Sequence, residues 1–172
     1  SRQWVAIFNG TANKDDFGDV IQVDDNGNVY VQGYSQQSDG TFDMTTVKYN
    51  SAGIQQWAAN FDANNSIYRN LITTGGGGPK AMGLSDDGGL YVSGYSEGAP
   101  TNLDFVTIKY DTAVGNELWS VRFDGPANGE DVPADLVVDE NSNVYVGGGS
   151  QGIGTGADYT TIKYDANGDT LW

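Results

Sequence analysis

DYTTIKYDANGDTLW, residues 158–172, is the third appearance of one text, preceded by DFVTIKYDTAVGNELW (104–119) and DMTTVKYNSAGIQQW (43–57). Trp4, Trp57, Trp119 and Trp172 stand 53, 62 and 53 residues apart. A second text recurs between them: VDDNGNVYVQGYS (23–35), LSDDGGLYVSGYS (84–96) and VDENSNVYVGGGS (138–150). Eight residues after the last Ser of each come Asp43, Asp104 and Asp158. A self-similar period of this length is the mark of a repeat architecture.

Each unit reads as four strands. In the first, DVIQV (19–23) is a strand, DDNG (24–27) a glycine-bearing hairpin turn, and NVYVQGYS (28–35) the returning strand. DMTTVKY (43–49), the turn NSAG (50–53) and IQQWAANF (54–61) complete the unit. β-Branched and aromatic residues dominate, and no segment sustains a helical period. The second strand is apolar on both faces, with Val29 and Val31 on one and Tyr30 and Tyr34 on the other. A sheet open to water on one side would alternate with polar residues, so these sheets are expected to be covered on both faces. Small four-stranded sheets stacked face to face describe a β-propeller. The expected fold is all-β, with three four-stranded antiparallel blades forming a partial propeller or half of a six-bladed ring.

The organisation follows from counting strands. Residues 1–8 match a blade's outermost strand, 9–61 form a first blade, 62–123 a second, and 124–172 a third that stops within its fourth strand at Trp172. Three blades are too few to close, since propellers run from about four to eight. The expectation is a piece of a longer array, or head-to-tail association in which residues 1–8 of one chain complete the third blade of another.

The repeated GNVYV-type and DYTTIKYDANGDTLW-type texts resemble the bacterial β-propeller repeat family known as the seven-bladed propeller repeat, over all three units. The resemblance implies an exported or cell-surface protein and no particular ligand. The Trp-bearing segment DTAVGNELW (111–119) also resembles the tryptophan-docking segment of quinoprotein propellers, where Trp packs between adjacent blades. That likeness implies a structural Trp. DANGDTLW (165–172) resembles the Asp-box of sialidase-type propellers but is one residue too long between Asp and Gly, and a hairpin turn accounts for it.

Composition excludes several function classes. The 172 residues carry a net charge of −15 with only eight Lys plus Arg, so a nucleic-acid backbone or an anionic membrane would be repelled. With no Cys and no His, thiol nucleophiles, disulfides and the commonest general base are absent. No apolar run approaches the roughly 18 residues of a membrane span. Gly at 25 residues, with abundant Asp, Asn and Ser, is the vocabulary of short strands and tight turns.

The recurring polar residues read first as structure. Lys48, Lys109 and Lys163 lie five residues beyond Asp43, Asp104 and Asp158 and so point to the opposite face, which leaves their partners to neighbouring strands or blades. Gly33, Gly94 and Gly148 interrupt the second strand at one position, predicting close approach from the next blade. The acidic turns DDNGN (24–28), DENSN (139–143) and DANGD (165–169) make calcium the one candidate cofactor, though none has the spacing of the 12-residue calcium loop. No other cofactor is expected.

Unit comparison locates the irregularity. Phe8 to Val23 and Phe123 to Val138 each span 15 residues, whereas Phe61 to Leu84 spans 23. The extra eight fall in DANNSIYRNLITTGGGGPK (62–80), which carries Tyr68 and Arg69. Loops carry function more often than strands, so these two are the candidate ligand-binding residues, with a neutral glycan or a peptide as ligand. Carboxylate pairs such as Asp15 with Asp16, or Glu130 with Asp131, are of the type that does acid/base work on a glycosidic bond. Adjacent carboxylates in a strand point apart, and no catalytic group is assigned. The reading is a non-catalytic structural or binding module of an extracellular or cell-surface protein, a scaffold for glycan or protein contact; a glycan hydrolase and a self-assembling subunit are the alternatives.

Overall fold

The computed structural model describes residues 3–63, 81–97 and 102–172. Among them are eleven strands in three antiparallel sheets and no helix. The first sheet is β1 (Asp16–Val23), β2 (Val29–Gln36), β3 (Phe42–Tyr49) and β4 (Gln55–Phe61), paired in chain order. The second repeats it with β5 (Ala81–Leu84), β6 (Gly89–Glu97), β7 (Leu103–Asp111) and β8 (Glu117–Phe123). The third has β9 (Asp131–Val138), β10 (Val144–Gly152) and β11 (Gly156–Tyr164). Beyond β11, a bridge from Tyr164 to Thr170 and the bond from Leu171 N–H to Lys163 O begin a fourth strand.

The turns form as their residues require. Asp24, Asp139 and Asp165 each accept backbone N–H groups two and four residues ahead, at 2.8–3.0 Å. That Asx geometry reverses the chain. Two of these turns place a glycine at positive φ, Gly27 at 75° and Gly168 at 91°, while Ser142 takes the same role at 61°. The first strand begins at Asp16, three residues earlier than the sequence suggested, because a bulge between Gly18 and Val20 lets the ladder continue past it.

The sheets pack face to face. Tyr30, Tyr34 and Met44 of the first meet Leu90, Val92 and Ile108 of the second in one core. Tyr91 and Phe105 of the second meet Leu136, Val146 and Ile162 of the third in another. Burial of each such large side chain stabilises by roughly 2 kcal/mol. The first strands form a column, β1 against β5 and β5 against β9. The expectation that both faces of β2 are covered holds, since Val29 and Val31 pack with Ala6 and Phe8 on the face opposite Tyr30.

Residues 3–8 form no ladder within the chain; they lie across the outer face of the first sheet, where Ala6 and Phe8 pack on Val29, Val47 and Tyr49. The Trp residues, for which the docking-segment likeness implies packing between blades, are not fully buried: Trp57 and Trp119 are half-buried and Trp4 is 37% exposed. Each covers a neighbouring turn, and Trp57 and Trp119 also pack between tyrosines of two sheets, Tyr30 with Tyr110 and Tyr91 with Tyr164.

Candidate functional site

One contact recurs three times, twice between sheets and once between residues 3–8 and the first sheet. Trp57 on β4 lies on Gly115, where a Cβ would stand 2.6 Å from the indole, and its Nε1 donates to Thr112 O at 3.1 Å. Trp119 on β8 does the same on Gly168 and Ala166 O, and Trp4 on Gly53 and Ser51 O. All three glycines have φ between 77° and 91°, so they supply both the left-handed turn and the flat seat for the ring.

The lysines complete the device. Lys48 Nζ sits 5.3 Å over the Tyr30 ring and donates to Thr112 O at 2.8 Å in the next sheet. Lys109 Nζ lies 5.0 Å over Tyr91, pairs with Asp87 at 3.1 Å, and reaches Ala166 O at 3.3 Å. Burial alone would depress the Lys109 ammonium, but Tyr91 and Asp87 outweigh it and hold its pKa above the usual value. Lys163 stacks over Tyr145 at 4.9 Å in the same way. Lysine partners therefore come from neighbouring strands and the next sheet, as expected. The glycines of the second strand differ from expectation: Gly94 and Gly148 admit Met44 and Phe105 from the preceding sheet rather than the next, and Gly33 admits the bulged backbone of β1.

Two faces of the stack remain open. Register equates Tyr159 of β11 with Met44 and Phe105, which pair opposite Tyr34 and Tyr95 as Tyr159 does opposite Gly149. Met44 and Phe105 are each 1% exposed, whereas Tyr159 is fully exposed. Thr161 is likewise exposed where Thr46 and Thr107 are buried. At the other end, residues 4–8 only partly roof the first sheet and leave a groove of about 320 Å³ lined by Trp4, Phe8, Phe17, Ile21, Val31 and Tyr49.

A second feature sits where the sheets meet at the ends of the third strands. Asp43, near the start of β3, has its pKa pushed up to about 6, by burial first and then by the charges of Asp62 and Asp39. Asp104, near the start of β7, is also raised, by burial first; Arg122 opposes this, and Asp124 and Asp131 add to it. A carboxyl raised on folding contributes stability that is full below its unfolded value of 3.8 and is lost as pH rises through about 6. Asp43→Asn is therefore expected to stabilise the chain near neutral pH by on the order of 1 kcal/mol, a figure reduced for solvent screening at this partly exposed group. The gain should vanish near pH 4, and thermal melts at both pH values check it; an equal gain at both would remove the electrostatic account.

Tyr68 and Arg69, the candidate ligand-binding residues, lie outside the described residues. The carboxylate pairs do point apart: Asp15 is exposed while Asp16 accepts the Gly10 N–H at 2.9 Å, and Glu130 is exposed while Asp131 is buried. In the acidic turns, the first Asp of each is held below the usual carboxylate range. For Asp24, burial works against this and the Asn28, Tyr30 and Asn26 bonds prevail; for Asp139 and Asp165 bonds from Asn143 and from the Asp169 N–H lead. Reading by sequence missed Asp124 and Asp131 as neighbours of Asp104. The available signal was the acidic residue directly after the strand-ending Phe, in NFD (60–62) and RFD (122–124).

Neither a protein-family model nor a curated protein sequence matches the chain. Among solved structures, similarity is found to a fucose lectin from Kordia zhangzhouensis in complex with methyl-fucoside, at 14% identity over 85% of this chain and 91% of that chain, with a TM-score of 0.46. At that level the likeness assigns neither a ligand nor a role to any residue of this chain.

Proposed function

We propose that this chain is a non-catalytic structural and binding module made of propeller blades, and that it works as a unit of a larger ring built from copies of itself. The observation that supports this is the repeated inter-sheet contact. Two complete sheet-on-sheet contacts use the same Trp, Gly and Lys positions, and the third sheet repeats the set with Tyr145, Lys163 and Trp172 packed together and Tyr159 fully exposed on its outer face. The groove on the first sheet is the complementary half.

In the proposed assembly the third sheet of one copy fills the groove of the next. Residues 3–8 of that next copy then extend the β11 edge, displacing residues 170–172 from it. Two chains would give six blades, within the range in which propellers close. The exported or cell-surface setting follows the resemblance of the repeat, and contact with a glycan or a protein through the loops is the role proposed for the finished ring. Light scattering on a column tests the assembly: the expected mass is twice the 18.3 kDa of one chain. A folded particle of single-chain mass at micromolar concentration would overturn it.

A further inference from the structure

We propose that a calcium ion is held between the second and third sheets by Asp104, Asp124 and Asp131, with the Ser150 hydroxyl as a fourth protein ligand. Asp104 belongs to β7, Asp124 follows β8 directly, and Asp131 opens β9, so two sheets must be docked for the three to meet. One carboxylate oxygen from each lies within 4.8 Å of the others. Calcium–oxygen distances of about 2.3–2.6 Å allow one ion to reach all three.

The carboxylates lack partners for what they bury. Asp104 and Asp131 are 2% and 0% exposed, and Oδ1 of each has no hydrogen-bond partner among the described residues. Their other oxygens are occupied, Asp131 Oδ2 by the Gly125 N–H at 2.6 Å and Asp104 Oδ2 by Arg122 Nη1 at 3.3 Å. Among the described residues one guanidinium against three carboxylates leaves two negative charges, and a buried carboxylate without compensation is costly.

Ser150 supplies an observation separate from the acidic cluster. It is 3% exposed, and its Oγ also has no partner among the described residues. It pairs across the ladder with Asp131. Its hydroxyl and Asp131 Oδ1 converge over Gly125, where a Cβ would overlap Ser150 Oγ and stand 2.6 Å from Asp131 Oδ1. The hydroxyl is thus aimed into the carboxylate cluster. The acidic turns differ, because Asp24, Asp139 and Asp165 already receive their own turns' N–H groups. A similar cradle of Gly10, Asp16 and Ser35 exists on the first sheet, with Asn9 where the other has Asp124.

All the donors are hard oxygens, which selects an alkaline-earth ion over a transition metal, and the chain has no His or Cys to favour the latter. Three carboxylates and a hydroxyl drawn from two sheets suit the irregular, flexible shell of calcium better than the near-octahedral shell magnesium demands. The inference stands independently of the proposed ring.

The test is calorimetric titration of the chelator-stripped full chain with calcium chloride at constant ionic strength, with parallel thermal melts. The expected result is saturable binding in the micromolar to low millimolar range and a raised melting temperature. Asp124→Asn, at an exposed side chain whose loss leaves the fold intact, is expected to weaken binding at least tenfold. Ser150→Ala should weaken it severalfold, and Asp15→Asn should leave it unchanged. Absence of saturable binding up to about 10 mM, equal affinity in Asp124→Asn, or an equal melting shift with magnesium would each overturn the site in favour of general attraction to a chain of charge −15.

Discussion

Gly115→Ala is expected to cost the folded chain about 3 kcal/mol, while Gly154→Ala costs about 1 kcal/mol. Both glycines have φ of 77°, so the backbone strain of placing a Cβ in the left-handed region is common to both. It amounts to roughly 1–2 kcal/mol. They differ in what the methyl group meets. At Gly154 nothing lies within 4 Å, whereas at Gly115 three indole atoms of Trp57 stand at 2.6–2.9 Å. Pushing the ring away strains or breaks its Nε1 bond to Thr112 and loosens its packing with Tyr30 and Tyr110. Overpacking of this kind costs about 1–3 kcal/mol. Urea unfolding of the two variants measures the difference; equal losses would mean that the Trp seat contributes nothing to holding the sheets together.

Tyr159→Asp is expected to abolish assembly, weakening association at least a hundredfold while leaving the fold of the chain unchanged. Tyr159 is fully exposed and takes no part in either core, so little is lost within one chain. In the proposed ring it occupies the place that Met44 and Phe105 hold between sheets, and an unpaired carboxylate buried there costs several kcal/mol. Leu118→Asp is the control, since Leu118 is an exposed apolar residue on β8, away from the open face of the third sheet. Mass by light scattering at about 0.15 M salt, where repulsion between acidic chains is screened, distinguishes the two. Retention of the assembled mass by Tyr159→Asp would remove the third sheet from the interface.

What the sequence by itself determined is local and periodic. The recurrence of VDDNGNVYVQGYS with Trp-terminated DMTTVKYNSAGIQQW placed hairpins and strands to within three residues, because Asx turns, positive-φ glycines and alternating side chains depend on a few adjacent positions. Tyr30 and Val31 on opposite faces of one strand were enough to require a cover on both sides. Which residue provides that cover is a matter of three-dimensional register. Only the tertiary structure set Trp57 on Gly115 rather than beside it, turned Gly94 and Gly148 toward the preceding sheet, and left Tyr159 bare while its repeat equivalents are buried. The carboxylates show the same limit. Asp104, Asp124, Asp131 and Ser150 are spread over 47 residues and read separately as strand starts and loop polars, yet the docking of two sheets brings the three carboxylates within 4.8 Å of one another, with Ser150 Oγ and Asp131 Oδ1 both over Gly125. A strand's pattern records which face is buried, whereas the neighbour it is buried against depends on contacts between sheets that no local periodicity encodes.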